Sequence, residues 1–476
     1  MARKKSRERE VLDGISSDGF DIPMKEGFST AEHDRLKSES NQPKHYELAN
    51  AILDEGFAIV GGMPCIPNNG RFEFGWDAVQ RAMLRIDPCC TNRTRNEAIQ
   101  TLKYTGPEVA VASYRYIEFE NGVLDVSTLD FMTSDEFMEK NVGIVPVVIP
   151  HKYDPEAQPC EAVETLLEGV SCGDEAVRTN IEEFIGLSMS RYTDNRSKAV
   201  WGYGGGENGK STLWDAVSFV VGDDNTCSLE LEDYKGQFNT QMLVGKLLAV
   251  SDDQISCSVD KAVIGKIKKI VTGQPIRIEQ KGRDPYNATM FCTIFVASNE
   301  PPQLSDTTHG SLRRWHMIPL NANFKKRGSG RDIDLKEKLH TEEAAQWLIK
   351  LGIDGLRRVL ENEGMTETDY SQIAIQEAKE RSNSVYAFLA DHPRSEFLVH
   401  PNVEVWYWRY QADVRAKGGR PFEQTKFTQM VNTEYGFTTK NNGRYKNGEY
   451  DLTVNGLARE HGRNAGDRYR VFIDKQ

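Results

Sequence analysis

The pattern of apolar and polar positions divides the first half of the chain into three parts. Residues 1–40 are rich in charged and small polar residues and hold few large apolar ones, which predicts a flexible arm. A helical stretch followed by two β-like runs around an Asn-Asn-Gly turn predicts a small α/β module over 41–115. The segment 116–195 is predicted to form a helical collar, because VRTNIEEFIGLSMS carries apolar residues on one helix face.

The second half begins with a different pattern. Between 196 and 325 the short apolar runs KAVWGY, KLLAVS, CTIFVAS and WHMIPL alternate with helical or polar stretches, which is typical of an open α/β sheet. A polar Gly-Ser loop leads into a segment, 326–392, with helical periodicity. The remaining residues, 393–476, are aromatic and basic and end in two β-like runs around Asn447-Gly448.

Composition restricts the classes of protein that fit this pattern. At 476 residues the chain is long enough for several domains, and no apolar run approaches the roughly 20 residues of a membrane span. The basic N-terminus has no apolar stretch after it, so it is not predicted to be a secretion signal, and we expect a cytoplasmic protein. The eight cysteines lack zinc-knuckle spacing and are interpreted as reduced thiols.

Net charge bears on nucleic-acid binding. A formal charge of -12 argues against a protein that coats nucleic acid with its whole surface, because phosphate binding needs concentrated Lys and Arg. Residues 394–476 nevertheless hold 14 Lys and Arg against 10 Asp and Glu. Contact with DNA is therefore expected to be local.

A glycine-rich motif follows the first strand of the predicted sheet. In VWGYGGGENGKSTL, the residues Gly204, Gly209, Lys210 and Ser211 satisfy the P-loop pattern between a predicted strand and a predicted helix. Lys210 is expected to reach the β- and γ-phosphates of ATP and Ser211 to ligate Mg²⁺ at the helix N-terminus. The full set of residues predicted to bind the nucleotide is Gly204, Gly205, Gly206, Glu207, Asn208, Gly209, Lys210, Ser211 and Thr212.

Polar residues end two later strands of the predicted sheet. KLLAVSDD ends in Asp252 and Asp253, which predicts a Walker B site where one carboxylate holds Mg²⁺ through water and the other orients the attacking water. Asp252 is assigned to the metal, although the two roles are interchangeable on sequence grounds. CTIFVASN ends in Asn299, whose amide is predicted to sense the γ-phosphate at the carboxyl edge of the sheet.

Two groups of basic residues complete the candidate chemistry. The pair Arg313 and Arg314 precedes the last strand and is either a surface feature or the source of an arginine finger supplied to a neighbouring subunit, with Arg313 slightly favoured. Around a predicted hairpin in IKKIVTGQPIRIEQKGRDPYNA, Lys281, Arg283 and Lys269 are predicted to contact DNA. A solvated basic face is the alternative for this group.

The order of these motifs resembles superfamily 3 helicases, in particular the motor half of the primase-helicases of phages, plasmids and large DNA viruses such as poxviruses. EFENGVLDV, HKYDPEAQPC, GGENGKST, IKKIVTG, VASNEPP and LRRWHMIPL carry the resemblance, which is specific over 116–325 and loose over 395–476. It implies an α/β AAA+-like P-loop ATPase core, a hexameric ring that moves along single-stranded DNA, and a C-terminal winged-helix-like domain that contacts DNA.

The chain departs from this family in two respects. The family often has Glu at the Walker B end, where this chain has Asp252 and Asp253. The first 115 residues show neither an acidic metal-binding signature nor a zinc ribbon, so primase activity is not predicted and a separate primase or initiator is an expected partner.

Three functions remain open on these grounds. The first is an ATP-dependent helicase that acts on single-stranded and forked DNA during replication of a phage or other mobile element. The second is an origin-binding initiator whose ATPase switches its assembly state. The third, an AAA+ remodeller without nucleic acid, is disfavoured by the basic hairpin and the basic C-terminal segment.

Overall fold

The computed structural model describes residues 43–68, 71–206, 208–254, 258–281, 283–322, 334–444, 460–463 and 467–475. The predicted arm over 1–40, Glu207 and the Asn447-Gly448 turn lie outside the described residues. The described chain divides into two compact units. The first ends at Gln372 and contains the central sheet, and the second comprises Pro302–Thr308 and the chain from Ile373 onward.

The first unit begins with a small α/β module, named here the N-terminal module (residues 43–109). Its elements are α1 (Lys44–Asp54), β1 (Ala58–Val60), β2 (Met63–Asn68), β3 (Arg71–Phe74), α2 (Trp76–Ile86), α3 (Asn92–Thr105) and β4 (Glu108–Val109). The strands form one sheet in the order β3-β2-β1-β4. Ile52, Phe57 and Trp76 are buried between the helices and this sheet and provide much of its core.

The next segment corrects the prediction of a helical collar that begins at residue 116. It forms a second four-stranded sheet, with β5 (Tyr116–Phe119), β6 (Gly122–Asp125), β7 (Asp130–Met132), α4 (Ser134–Glu139) and β8 (Val148–Ile149). The first two strands pair as a hairpin around Glu120 and Asn121. Helices follow only at α5 (Glu161–Ser171) and α6 (Glu175–Met189). The prediction extended the strong helical periodicity of α6 backward over strands too short to show a clear pattern.

The central sheet confirms the predicted open α/β core. The elements of this part of the chain are β9 (Ala199–Tyr203), α7 (Lys210–Val221), β10 (Thr226–Ser228), β11 (Leu248–Gln254), β12 (Ser258–Val259), α8 (Lys261–Val271), β13 (Ile276–Ile278), β14 (Tyr286–Ala288), β15 (Thr293–Ser298), β16 (Gln303–Leu304), α9 (His309–Leu312) and β17 (Trp315–Pro319). Of these, β16 belongs to the second unit. Short 3-10 turns span Asp223–Asn225, Leu231–Lys235 and Asn239–Leu243. Five strands pair in parallel in the order β10-β11-β15-β9-β17.

Buried polar contacts fix this sheet to its surroundings. Trp201 on β9 donates from Nε1 to the Ser298 hydroxyl on β15 at 2.7 Å, which links these two neighbouring strands beyond their backbone hydrogen bonds. On β17, His316 is fully buried and its Nε2 lies 3.0 Å from Asn180 Oδ1 on α6. Burial lowers the pKa of His316 to about 3, so the imidazole is neutral and the contact is an uncharged hydrogen bond.

Helices complete both units. After the sheet come α10 (Leu335–Leu339), α11 (Glu342–Glu361) and α12 (Asp369–Ser382), and α11 packs along α6. The second unit continues with α13 (Ser384–Asp391), α14 (Arg394–Val399), α15 (Val403–Ala416), α16 (Gln424–Tyr435), β18 (Phe437–Arg444) and β19 (Arg468–Asp474), the two strands being antiparallel. None of the helices in the described ranges is both long and apolar enough to cross a membrane.

The second unit starts before the predicted boundary at residue 393. Its core is aromatic, with Phe397, Trp406 and Phe427 buried together. Helix α13 contributes Val385 and Phe388 to that same core. The helix therefore belongs to the C-terminal unit by packing, although its periodicity continues that of the preceding helices.

Candidate site at the carboxyl edge of the central sheet

The P-loop connects β9 to α7. Gly209 has φ +81°, a left-handed conformation that glycine adopts without strain, and it delivers the chain into α7 at Lys210. The N-cap residue Gly209 has no side chain to cap this helix, and Asn208 Oδ1 accepts only from the Lys210 N–H, at 3.5 Å. Among the described residues the next N–H groups of the first turn, those of Ser211 and Thr212, are therefore available to an anion. Gly204 packs so closely against the Leu320 carbonyl that a side chain would collide with it. The loop is therefore shaped by glycine at both ends.

Lys210 is buried at the centre of this loop. Its side chain is only 6% exposed, and its Nζ donates to the Gly204 carbonyl at 2.5 Å and to Asn299 Oδ1 at 3.4 Å. Asn208, also buried, donates from Nδ2 to the Leu320 carbonyl at 2.6 Å and holds the loop against the end of β17. A buried lysine among carbonyl and amide oxygens is positioned to exchange these acceptors for phosphate oxygens.

Strand order accounts for the meeting of Lys210 and Asn299. Asn299 follows β15, and β15 pairs directly with β9, the strand that leads into the P-loop. The two residues are 89 positions apart in sequence, yet their side chains are in contact at one edge of the sheet. The Asn299 side chain is exposed there, as is Ser211 at the start of α7, while Thr212 is half-buried. Glycines 205 and 206 are exposed as well.

The acidic residues lie one strand further from the P-loop. Asp252 is half-buried on β11, which pairs with β15 on the side away from β9. The pairing of β11 with β15 is irregular between Ser251 and Gln254, so both acidic residues occupy a bulge. Asp253 lies in the strand, but its side chain is outside what the structure describes.

Glu230 is a candidate that the sequence analysis did not single out. Parallel pairing brings Ser228 of β10 opposite Val250 of β11, so two residues later Glu230 lies beside Asp252. Loss of hydration, followed by the charges of Asp233 and Asp252, raises the pKa of Glu230 above its usual value. The register of β10 and β11, which sequence does not reveal, is the signal that identifies this carboxylate.

The two adjacent arginines differ in environment. Arg314 is 4% exposed, and its guanidinium donates to the Asn195 carbonyl in the loop before β9. Burial, followed by the charge of Arg313, lowers the pKa of Arg314. The Arg313 side chain is exposed. Of the pair, only Arg313 is therefore accessible to a neighbouring molecule.

The basic residues predicted to contact DNA are also separated. Strands β13 and β14 form the predicted antiparallel hairpin. Lys281 in its loop and Lys269 on α8 are exposed, whereas the Arg283 side chain is 17% exposed and its guanidinium lies 2.7 Å from Asp77 Oδ1. Arg283 is thus engaged within the chain.

The site fits the phosphates of a nucleotide with a divalent cation. The first turn of α7 offers N–H groups and a favourable dipole, and Lys210 adds a buried positive charge. Ser211 and Asp252 supply the hydroxyl and carboxylate oxygens that Mg²⁺ prefers. A helix N-terminus, a buried lysine, an amide and two carboxylates therefore lie along one edge of the sheet.

Comparison with known proteins gives two findings. A family model described as a family of unknown function (DUF5906) matches residues 202–314, which run from the P-loop to Arg314. The chain is also similar to solved structures of the NrS-1 C-terminal region. Its A-form apo structure gives a TM-score of 0.48 and 13% identity, and covers 91% of this chain and 100% of that one. A second apo structure, NrS-1 C-terminal region (305–718), gives 0.47 and 14% with the same coverage.

Proposed function

We propose that the chain is a magnesium-dependent P-loop ATPase that works as the ring-forming motor of a DNA helicase of the superfamily 3 type. The observation that carries the proposal is the contact of Lys210 with Asn299 across adjacent parallel strands, at the N-terminus of α7, where the N-cap residue is a glycine. The resemblance to superfamily 3 suggests an AAA+ core for this sheet. The sheet order is compatible with that, because β15 lies between the P-loop strand and the acidic strand and the carboxyl ends of all three meet at one edge.

Each residue of the site has a role in this proposal. Lys210 and the N–H groups of the P-loop bind the phosphates. Ser211 and Asp252 would hold Mg²⁺, which would supply positive charge beside the phosphates. Asn299 and one carboxylate, Asp253 or Glu230, orient the water that attacks the γ-phosphorus. The bond from that phosphorus to the β,γ-bridging oxygen breaks, and ADP and phosphate leave.

The rest of the molecule is assigned by the same proposal. Arg313, exposed on its own subunit, reaches the nucleotide of the next subunit in a ring, which the superfamily 3 resemblance suggests is hexameric. Lys281 and Lys269 contact single-stranded DNA. The second unit, with α15, α16 and an antiparallel pair of strands after them, supports a winged-helix-like domain that binds DNA. The motor would serve replication of a phage or other mobile element in the host cytoplasm, with a separate primase.

The test is ATP hydrolysis by the purified chain with and without single-stranded DNA, followed by strand displacement on a forked substrate. We expect single-stranded DNA to accelerate hydrolysis and the fork to be opened in one direction. A hydrolysis rate that does not change with DNA, together with a footprint at one duplex sequence, would favour the origin-binding initiator over the helicase. Absence of magnesium-dependent hydrolysis would refute both the helicase and the initiator hypotheses.

Asp252 provides a prediction about the cation. We expect Asp252→Asn to raise the Mg²⁺ concentration for half-maximal hydrolysis about 10–100-fold, because the neutral amide binds the ion's water shell less well than a carboxylate. The measurement is a Mg²⁺ titration of phosphate release at saturating ATP. Asp224→Asn is the matched control and should leave the titration unchanged, since this exposed carboxylate lies just beyond the opposite end of α7. If the Mg²⁺ titration of Asp252→Asn is unchanged, the cation ligand would be reassigned to Asp253.

A further inference from the structure

The loop of the β13–β14 hairpin is attached to the N-terminal module by two ion pairs of opposite polarity. Arg283 lies 2.7 Å from Asp77 on α2, and Asp284 lies 3.1 Å from the Lys103 ammonium on α3. Gln100 donates a third contact, also 3.1 Å, to the same Asp284 carboxylate. The Lys103 hydrogen bond is the largest cause that lowers the pKa of Asp284, which keeps its carboxylate charged. Two helices of the module therefore hold two consecutive residues of the loop.

The chain after the loop, which forms β14, is also held by backbone contacts. Thr289 donates from its N–H to the Gly61 carbonyl, at 3.0 Å, in the turn between β1 and β2. In the same turn Gly62 has φ +79°, and a Cβ there would lie 2.5 Å from the Asn287 carbonyl oxygen. Only glycine permits this approach of the turn to β14.

Aromatic packing continues the contact. Tyr286 on β14 is packed against the core of the N-terminal module, and burial raises its pKa to about 12. Just beyond β14, Phe291 meets Phe74 of β3 edge to face, with ring centroids 6.4 Å apart. The hairpin thus shares apolar, backbone and charged contacts with a module that is more than 180 residues earlier in sequence.

We propose that the N-terminal module holds the β13–β14 hairpin in a fixed position, and that Arg283 is a positioning residue that docks the hairpin loop on Asp77. Arg283 then makes no phosphate contact, and the exposed Lys281 is the cation of the loop that meets the DNA backbone. The docking itself stands on the contacts above; only the role of Lys281 on DNA rests on the proposed function.

Charge exchange tests the docking without ATP or DNA. Asp77→Arg and Arg283→Asp each place like charges together, and the double variant restores an ion pair of reversed polarity. We expect backbone hydrogen exchange at Tyr286–Ala288 in the full chain to quicken about five-fold in each single variant, as loss of one partly buried pair implies. In the double variant it should return to within about two-fold of the original rate.

Two further variants separate this docking from general destabilisation and from the proposed function. Lys281→Asp makes the same charge change as Arg283→Asp in the same loop and should leave the exchange rate at Tyr286–Ala288 unchanged. Asp284→Asn, a milder change, should quicken exchange less than Arg283→Asp while the chain stays folded. Equal exchange rates in all single variants and the original chain would show that the N-terminal module does not hold the hairpin in position. This outcome is independent of whether the chain hydrolyses ATP.

Salt dependence distinguishes positioning from phosphate contact. For binding to a single-stranded oligonucleotide, we expect Lys281→Ser to reduce the slope of log affinity against log salt by about 0.7, whereas Arg283→Ser leaves the slope unchanged. Rescue by Arg283→Lys should restore hairpin protection, because an ammonium can still pair with Asp77. A reduced slope for Arg283→Ser with unchanged hairpin protection would make Arg283 a DNA contact and refute its positioning role.

Discussion

Replacement of Lys210 by Ala is expected to abolish tight ATP binding and to lower turnover about 10²–10³-fold. The Lys210 ammonium is the buried cation beside the first turn of α7, where the phosphates are expected to bind. Its hydrogen bonds to phosphate would be charge-assisted at both ends, and such bonds are about twice as strong as neutral ones. The measurement is equilibrium binding of a fluorescent ATP analogue together with release of phosphate.

Lys246 offers a matched control for this variant. Its Nζ also donates to a backbone carbonyl, that of Asp224 at 2.5 Å, but Asp224 lies just beyond the opposite end of α7. That end is roughly 18 Å along the helix from Lys210. Lys246→Ala should therefore bind and hydrolyse ATP normally. Tight ATP binding by folded Lys210→Ala protein would show that the phosphates bind elsewhere, and the assignment of the P-loop would fail.

The P-loop could be predicted because its residues are consecutive in the sequence. The P-loop from Gly204 to Ser211 follows a strand and opens a helix, and both elements occur where the pattern puts them. The position of Asn299 was also predictable, since parallel strands bring their carboxyl ends to one edge. What sequence could not supply was the order of the strands, and this order brings Glu230 beside Asp252.

Long-range contacts explain the features that sequence missed. The interpretation of Arg283 as a DNA contact used only its neighbours in the chain, whereas its partner Asp77 is 206 residues away. Likewise, the helical periodicity of α13 gives no indication that Phe388 belongs to the aromatic core of the C-terminal unit. Periodicity shows which face of a helix or strand is buried, but it does not show which other element packs against that face.

The arginine pair leads to the second large effect. We expect Arg313→Ala to bind ATP normally and to lose about 10³-fold or more of its turnover, because a finger acts on charge that develops only in the transition state. Arg314→Ala should instead destabilise the fold by about 1–3 kcal/mol, since it removes a buried guanidinium that holds the Asn195 carbonyl. Thermal melts and ATP titrations of the two variants distinguish these outcomes.

Mixed assemblies show whether the arginine acts on its own subunit or on its neighbour. Lys210→Ala subunits retain Arg313, and Arg313→Ala subunits retain Lys210, so each kind alone should be inactive. If Arg313 acts in trans, a one-to-one mixture that exchanges subunits restores some catalytic sites. Such a site forms where an Arg313→Ala subunit, which supplies Lys210, lies next to a Lys210→Ala subunit whose Arg313 reaches its nucleotide. Random assembly makes that about a quarter of all sites in a closed ring. A mixture as inactive as its components would place Arg313 on its own nucleotide, and wild-type turnover by Arg313→Ala alone would exclude the residue from hydrolysis.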